Sequence, residues 1–118
     1  DARQTCGSPL DYRRYVARSR GEFSCARPSY VRLKTGWLSD RTLCYLASGR
    51  PAVVQDTGPN RIPPDTGGLL RFRNLDEAVA AVERVEADYD RHSRLARALA
   101  EEHFDARKVA ARVLESAL

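Results

Sequence analysis

Ser39, Asp40 and Arg41 stand side by side three residues after Gly36. A hydroxyl, a carboxylate and a guanidinium at that spacing suit an anion held at the start of a helix. Ser39 is an N-cap type and Asp40 fits a first turn. The helix they open would aim its unpaired N–H groups, and the positive end of its dipole, at whatever lies in front of it. Arg27 and Arg41 bring fork-shaped donors that match phosphate oxygens, and Gly36 would let a ligand come close to the backbone. A second group, Asp56-Thr57-Gly58, offers a carboxylate and a hydroxyl at a strand end, suited to ribose or sugar hydroxyls. Trp37, the single Trp, and Tyr30 are candidate stacking surfaces. Each feature also has a plainer reading. Ser39 caps a helix whatever the function, Asp-Thr-Gly is a turn composition, Arg27 and Arg41 suit a solvated surface, and Trp37 suits packing.

Those residues need elements to position them. A helix is expected over Pro9–Arg18, ended before Gly21, followed by a strand Glu22–Ala26 that Pro28 terminates. A loop is expected from Arg27 to Trp37. Leu43, Leu46 and Ala47 recur at helical spacing after Ser39, and Gly49 closes that helix. Pro51–Gln55 reads as a strand, Asp56–Gly68, with three Gly and three Pro, as a loop, and Leu69–Phe72 as a third strand. Asn74 caps a helix whose Leu75, Val79, Val82, Val85 and Tyr89 keep a 3–4 spacing. Two further helices, about Arg91–Glu102 and from Asp105 towards Leu118, form a helical tail over 90–118. The whole, residues 1–118, reads as a single α/β domain, with right-handed crossovers onto a parallel sheet. In such sheets ligands bind beyond the carboxyl ends of the strands. The loops Arg27–Trp37 and Asp56–Gly68 and the turn after Phe72 should meet there. Three strands make a marginal sheet, so the chain is expected to be part of a larger protein; the absence of Met and the start at Asp1 point the same way.

The run from Gly36-Trp37-Leu38-Ser39-Asp40-Arg41-Thr42 through Cys44-Tyr45-Leu46-Ala47-Ser48-Gly49-Arg50-Pro51-Ala52-Val53-Val54-Gln55-Asp56-Thr57-Gly58 resembles the C-terminal half of bacterial GT-B-type glycosyltransferases. The resemblance extends upstream through Ser19–Ser24 and downstream through Gly68–Phe72, Leu75–Ala78 and Glu101–Phe104. It implies a Rossmann-like parallel sheet flanked by helices, one lobe of a GT-B fold. That lobe binds a nucleotide-diphosphate sugar as donor substrate, with no cofactor and no essential metal, while a separate N-terminal lobe binds the acceptor. In that group a Glu in the helix before the Gly-x-Pro turn contacts the donor ribose; Cys44 stands at that place, and the partner Glu near Gly36 is also absent. Ser39, Asp40 and Arg41 are the replacement the sequence offers. The nucleotide-sugar-binding set is then Arg27, Gly36, Ser39, Asp40, Arg41, Asp56, Thr57 and Gly58, with the catalytic base on the companion lobe. The rival from another class is a non-catalytic, transferase-like interaction module, which calls for an exposed apolar surface on the last helix.

Composition narrows the alternatives. The net charge is +4, and Lys34 and Lys108 are the only lysines, with Arg supplying the remaining basic residues. These are interspersed with acids, a mixed surface and not a nucleic-acid-binding block. No apolar run approaches the roughly 18 residues of a membrane span. Cys6, Cys25 and Cys44 lack CxxC or His partners, so neither a disulfide framework nor a zinc site is read; Cys25 and Cys44 are expected as small core residues. A cytoplasmic location follows as an expectation. His92 and His103, in the tail, read as surface or helix-packing groups, and no P-loop, GxGxxG, GxSxG or HExxH is present.

Overall fold

A computed structural model describes residues 1–63 and 67–118. Positions 64–66 of the expected Asp56–Gly68 loop lie outside the described residues. The elements follow in the order α1 (Ala2–Thr5), α2 (Pro9–Arg18), β1 (Glu22–Ser24), α3 (Pro28–Arg32), α4 (Asp40–Ala47), β2 (Ala52–Gln55), β3 (Leu69–Phe72), α5 (Leu75–Ala87), α6 (Tyr89–His103) and α7 (Ala106–Ala117). The protein is therefore α/β, with a three-stranded, wholly parallel sheet in the order β1-β2-β3. Glu22 pairs with Ala52, and Ala52 in turn with Leu69, which fixes the register across all three strands. The order does not reverse within these strands, so they contain no topological switch point.

Two local expectations are corrected. β1 stops at Ser24 and not at Ala26, because the Ala26 N–H is taken by the Gln55 side-chain oxygen at 3.0 Å and leaves the ladder. The expected loop after Arg27 contains α3: the Pro28 that bars a strand sits in the first turn of a helix, where its missing N–H costs nothing.

The register sorts side chains onto two faces. On one, Ala52, Val54 and Leu69 pack with Leu46 of α4 and Ala96, Leu99 and Ala100 of α6. On the other, Val53, Leu70 and Phe72 pack against Ala78, Ala81 and Val85 of α5. The buried face of α5 therefore differs from the expected one. Val85 is shared, and Tyr89, the first residue of α6, packs against the same cluster, but Leu75, Val79 and Val82 are exposed. The small Ala side chains let the helix sit close on the sheet, and its bulkier stripe is left exposed. Phe23, 58% exposed, stacks on Phe72 with ring centroids 5.3 Å apart. Glu86, on the exposed side of α5, forms an ion pair with Arg20 at 2.7 Å.

α6 belongs to the core and is not a tail. His92 is buried, and its Nδ1 accepts the Gly68 N–H at 3.1 Å, tying α6 to the start of β3. Of the two readings for this residue, helix packing is what the structure shows. Burial, with Arg84 and Arg91 nearby, pulls the imidazole below its ordinary value. α7 is held differently: Lys108 and Arg112 donate to the Glu101 and His103 carbonyls at the end of α6. The helix is thus attached by its polar side, and Val109, Val113 and Leu114 face solvent.

No helix of the described residues is long and apolar enough to cross a membrane. All three cysteines are exposed. Cys25 lies just past the end of β1, and Cys44 occupies the side of α4 opposite the buried Thr42, Tyr45 and Leu46, so neither is a core residue.

Candidate functional site

Two crevices open beyond the carboxyl ends of the strands. The larger, about 750 Å³, is lined in part by Lys34, Asp56, Asn60, Arg71, Arg73 and Glu77. Apart from Lys34, its polar side chains already serve one another or the loop backbone. The Asp56 carboxylate accepts the Gly58 N–H at 2.8 Å, Asn60 bonds Gly36, Ile62 and Arg71, and Arg73 pairs with Glu77 at 2.7 Å. Such groups hold loops together; a ligand would have to break them. The smaller crevice, 340 Å³, lies at the ends of β1 and β2 in front of α4. It is the better candidate on chemical grounds, despite its size, because its walls carry groups without protein partners.

Arg27, Ser39, Arg41 and Thr57 of the expected set all line this smaller crevice, with Thr42, Gln55, Tyr30 and Trp37 beside them. Ser39 caps α4 as expected, its Oγ accepting the Arg41 N–H at 3.2 Å. Asp40 sits exposed in the first turn, outside the lining. Arg27 is exposed at the rim. The Arg41 Nε donates to Glu22 Oε1 at 2.8 Å, and that bond, with the negative charge of Glu22, holds the guanidinium above its ordinary value. Tyr30 and Trp37 form an aromatic rim with centroids 5.4 Å apart and planes tilted by 34°.

Thr57 and the remaining three residues, Gly36, Asp56 and Gly58, also hold the loops together. Thr57 is buried, and its hydroxyl donates to the Trp37 carbonyl at 2.7 Å. Gly36 donates its N–H to the Thr57 carbonyl at 2.9 Å. At Gly36, with φ +69°, an added Cβ would lie 2.4 Å from the Pro59 carbonyl oxygen; at Gly58, with φ +107°, it would lie 2.9 Å from Lys34. The close approach at Gly36 is to the neighbouring loop. Gly36, Asp56, Thr57 and Gly58 build the wall between the two crevices.

Sequence reasoning passed over Thr42 and Glu22. Thr42 is 1% exposed in the first turn of α4, and its hydroxyl has no hydrogen-bond partner among the described residues. Glu22 is buried at the start of β1, and its Oε2 is likewise unpartnered. Neither is marked in the sequence: the strand neighbour Phe23 is exposed, and only the register of β1 and the first turn of α4 bring Glu22 and Thr42 beside Arg41. Among the described residues no group of three His, Cys, Asp or Glu side chains is placed to hold a metal ion.

No protein-family model, curated protein or solved structure matches the chain.

Proposed function

We propose that the chain is the donor-binding lobe of a glycosyltransferase that moves a sugar from a nucleotide-diphosphate sugar to an acceptor. The observation that carries the ligand site is Thr42: a buried hydroxyl without a partner, in the first turn of a helix that opens on a crevice. An oxyanion placed there would meet that hydroxyl, the α4 N–H groups and Arg41. The Tyr30–Trp37 rim supplies the stacking surface that a nucleotide base requires. The resemblance of Gly36–Gly58 to GT-B donor lobes supplies the reaction. During transfer, the helix dipole and Arg41 offset the charge that grows on the departing diphosphate. The base that activates the acceptor belongs to a companion N-terminal lobe, so the 118-residue chain alone binds donor and turns nothing over.

Trp37 is the only Trp and lines the crevice, so its fluorescence reports occupancy directly. Titration with UDP-, GDP- and TDP-sugars should quench it saturably. An unchanged spectrum with all three at millimolar concentration contradicts the reading.

One observation favours the second reading, an interaction module. α7 turns Val109, Val113 and Leu114 outward while its Lys108 and Arg112 hold the α6 terminus. Under that reading the apolar side receives a partner protein and the crevice is silent to nucleotides.

A further inference from the structure

Glu22 is an expensive residue to place where it stands. Its side chain is 3% exposed, and only one of its two oxygens has a partner. A buried ion pair contributes little net stability compared with apolar residues of the same volume, so the fold does not require a carboxylate there. What an apolar residue could not do is hold Arg41.

The manner of holding matters. Arg–carboxylate pairs frequently engage the guanidinium through two parallel bonds, as Arg20 and Glu86 do in this chain. Here Glu22 takes the Nε–H alone, through Oε1 at 2.8 Å. The two terminal nitrogens of Arg41 make no hydrogen bond among the described residues, and the side chain, 51% exposed, lines the crevice. Thr42, next in the chain, adds its unpartnered hydroxyl on the same helical turn.

We infer that Glu22 is a positioning residue that fixes Arg41 by its Nε and leaves the two terminal guanidinium nitrogens to grip a diphosphate at the start of α4. This rests on the donor-site reading and adds to it which part of the ligand is gripped and what orients the grip. Arg41 loses less side-chain freedom on binding because the buried carboxylate has already fixed its stem. Glu22 also opposes the ligand's charge. Geometry and charge therefore make opposite demands, which separates them experimentally.

The test compares Glu22→Gln and Glu22→Leu with the unchanged chain, titrating inorganic pyrophosphate and UDP-glucose while following backbone amides and the Arg41 Nε–H by NMR. A Gln oxygen still accepts the Nε–H and removes the charge; a Leu removes both. Positioning predicts pyrophosphate binding at least as tight in Glu22→Gln and about tenfold weaker in Glu22→Leu, the size expected for losing one charge-assisted hydrogen bond. The Arg41 Nε–H signal should persist in the first variant and broaden in the second. Any other pattern among the three chains, above all tighter binding in both variants, overturns the inference and leaves the crevice as a binding site. If the unchanged chain responds to neither ligand, the donor-site reading falls and takes the positioning role with it. Circular dichroism of each variant keeps a folding failure from being read as lost binding, and Glu22→Ala, which also removes both the acceptor and the charge, takes the place of Glu22→Leu should that chain not fold.

Discussion

Thr57 and Trp37 clasp the two strand-end loops together: the Thr57 hydroxyl donates to the Trp37 carbonyl at 2.7 Å. Beside it the Gly36 N–H returns a bond to the Thr57 carbonyl at 2.9 Å. The clasp is part of the wall against which a ligand in front of α4 would rest, and it fixes Trp37 at the rim. Because the hydroxyl is buried, Thr57→Val leaves the Trp37 carbonyl without its donor, at an expected cost of about 1–2 kcal/mol. Gly36→Ala should cost more, since backbone strain of about 1–2 kcal/mol adds to a clash with the Pro59 carbonyl. Urea denaturation measures both; a Gly36→Ala chain as stable as the original would mean that the loops are not clasped in this way.

The α5 correction makes a sharp pair of expectations. Val82→Ala changes an exposed side chain and should stay within about 0.5 kcal/mol. Ala81→Leu forces a larger side chain between α5 and the sheet and should destabilise by about 1–3 kcal/mol. Denaturant midpoints for the two variants check the assignment of faces, and the reverse order would restore the Leu75, Val79, Val82 face to the core.

His92 gives the fold a pH dependence. The ring is buried and must be neutral at Nδ1 to accept the Gly68 N–H. Its folded-state value is pulled down from 6.5, mainly by burial. The unfolded chain therefore binds the proton more readily, and the stability His92 contributes is fully present above about pH 6.5 and is lost as the pH falls through the folded-state value. Unfolding free energies at pH 7.5 and 5.0 should differ in that sense, and His92→Gln should flatten the difference. A stability that rises on acidification from pH 6.5 contradicts the assignment.

Much of this fold is legible in the chain. Ser39, Asn74 and Asp105 cap the helices at which each was placed, and their side chains accept the expected backbone N–H groups. Val53-Val54 and Leu69–Phe72 form parallel strands. What escaped depends on tertiary context. On α5 the Ala78, Ala81, Val85 face adjoins the Leu75, Val79, Val82 stripe in one apolar arc, so spacing alone could not tell which part of it meets the sheet. Cys44 falls between buried positions of α4 but on the opposite side. Pro28 is compatible with both a loop and a helix start. The site was legible at Ser39 and Arg41, which line the crevice. Thr57 lines it too, but a turn composition does not say that the hydrogen bonds of Gly36 and Thr57 go to a second loop. Glu22 and Thr42 had no signal until the strand register and the turn of α4 placed them beside Arg41.

On the proposed function, a nucleotide-diphosphate sugar sits in front of α4. Two-dimensional ¹H–¹⁵N NMR of the labelled chain, titrated with UDP-, GDP- and TDP-sugars, tests it most directly. Binding there should give saturable shifts for at least one donor, confined to Arg27 and the Thr35–Thr42 segment, with the amides of Asn60 and Glu77 in the larger crevice unmoved. No shift at Thr35–Thr42 at millimolar ligand, or shifts centred on the larger crevice instead, would contradict it.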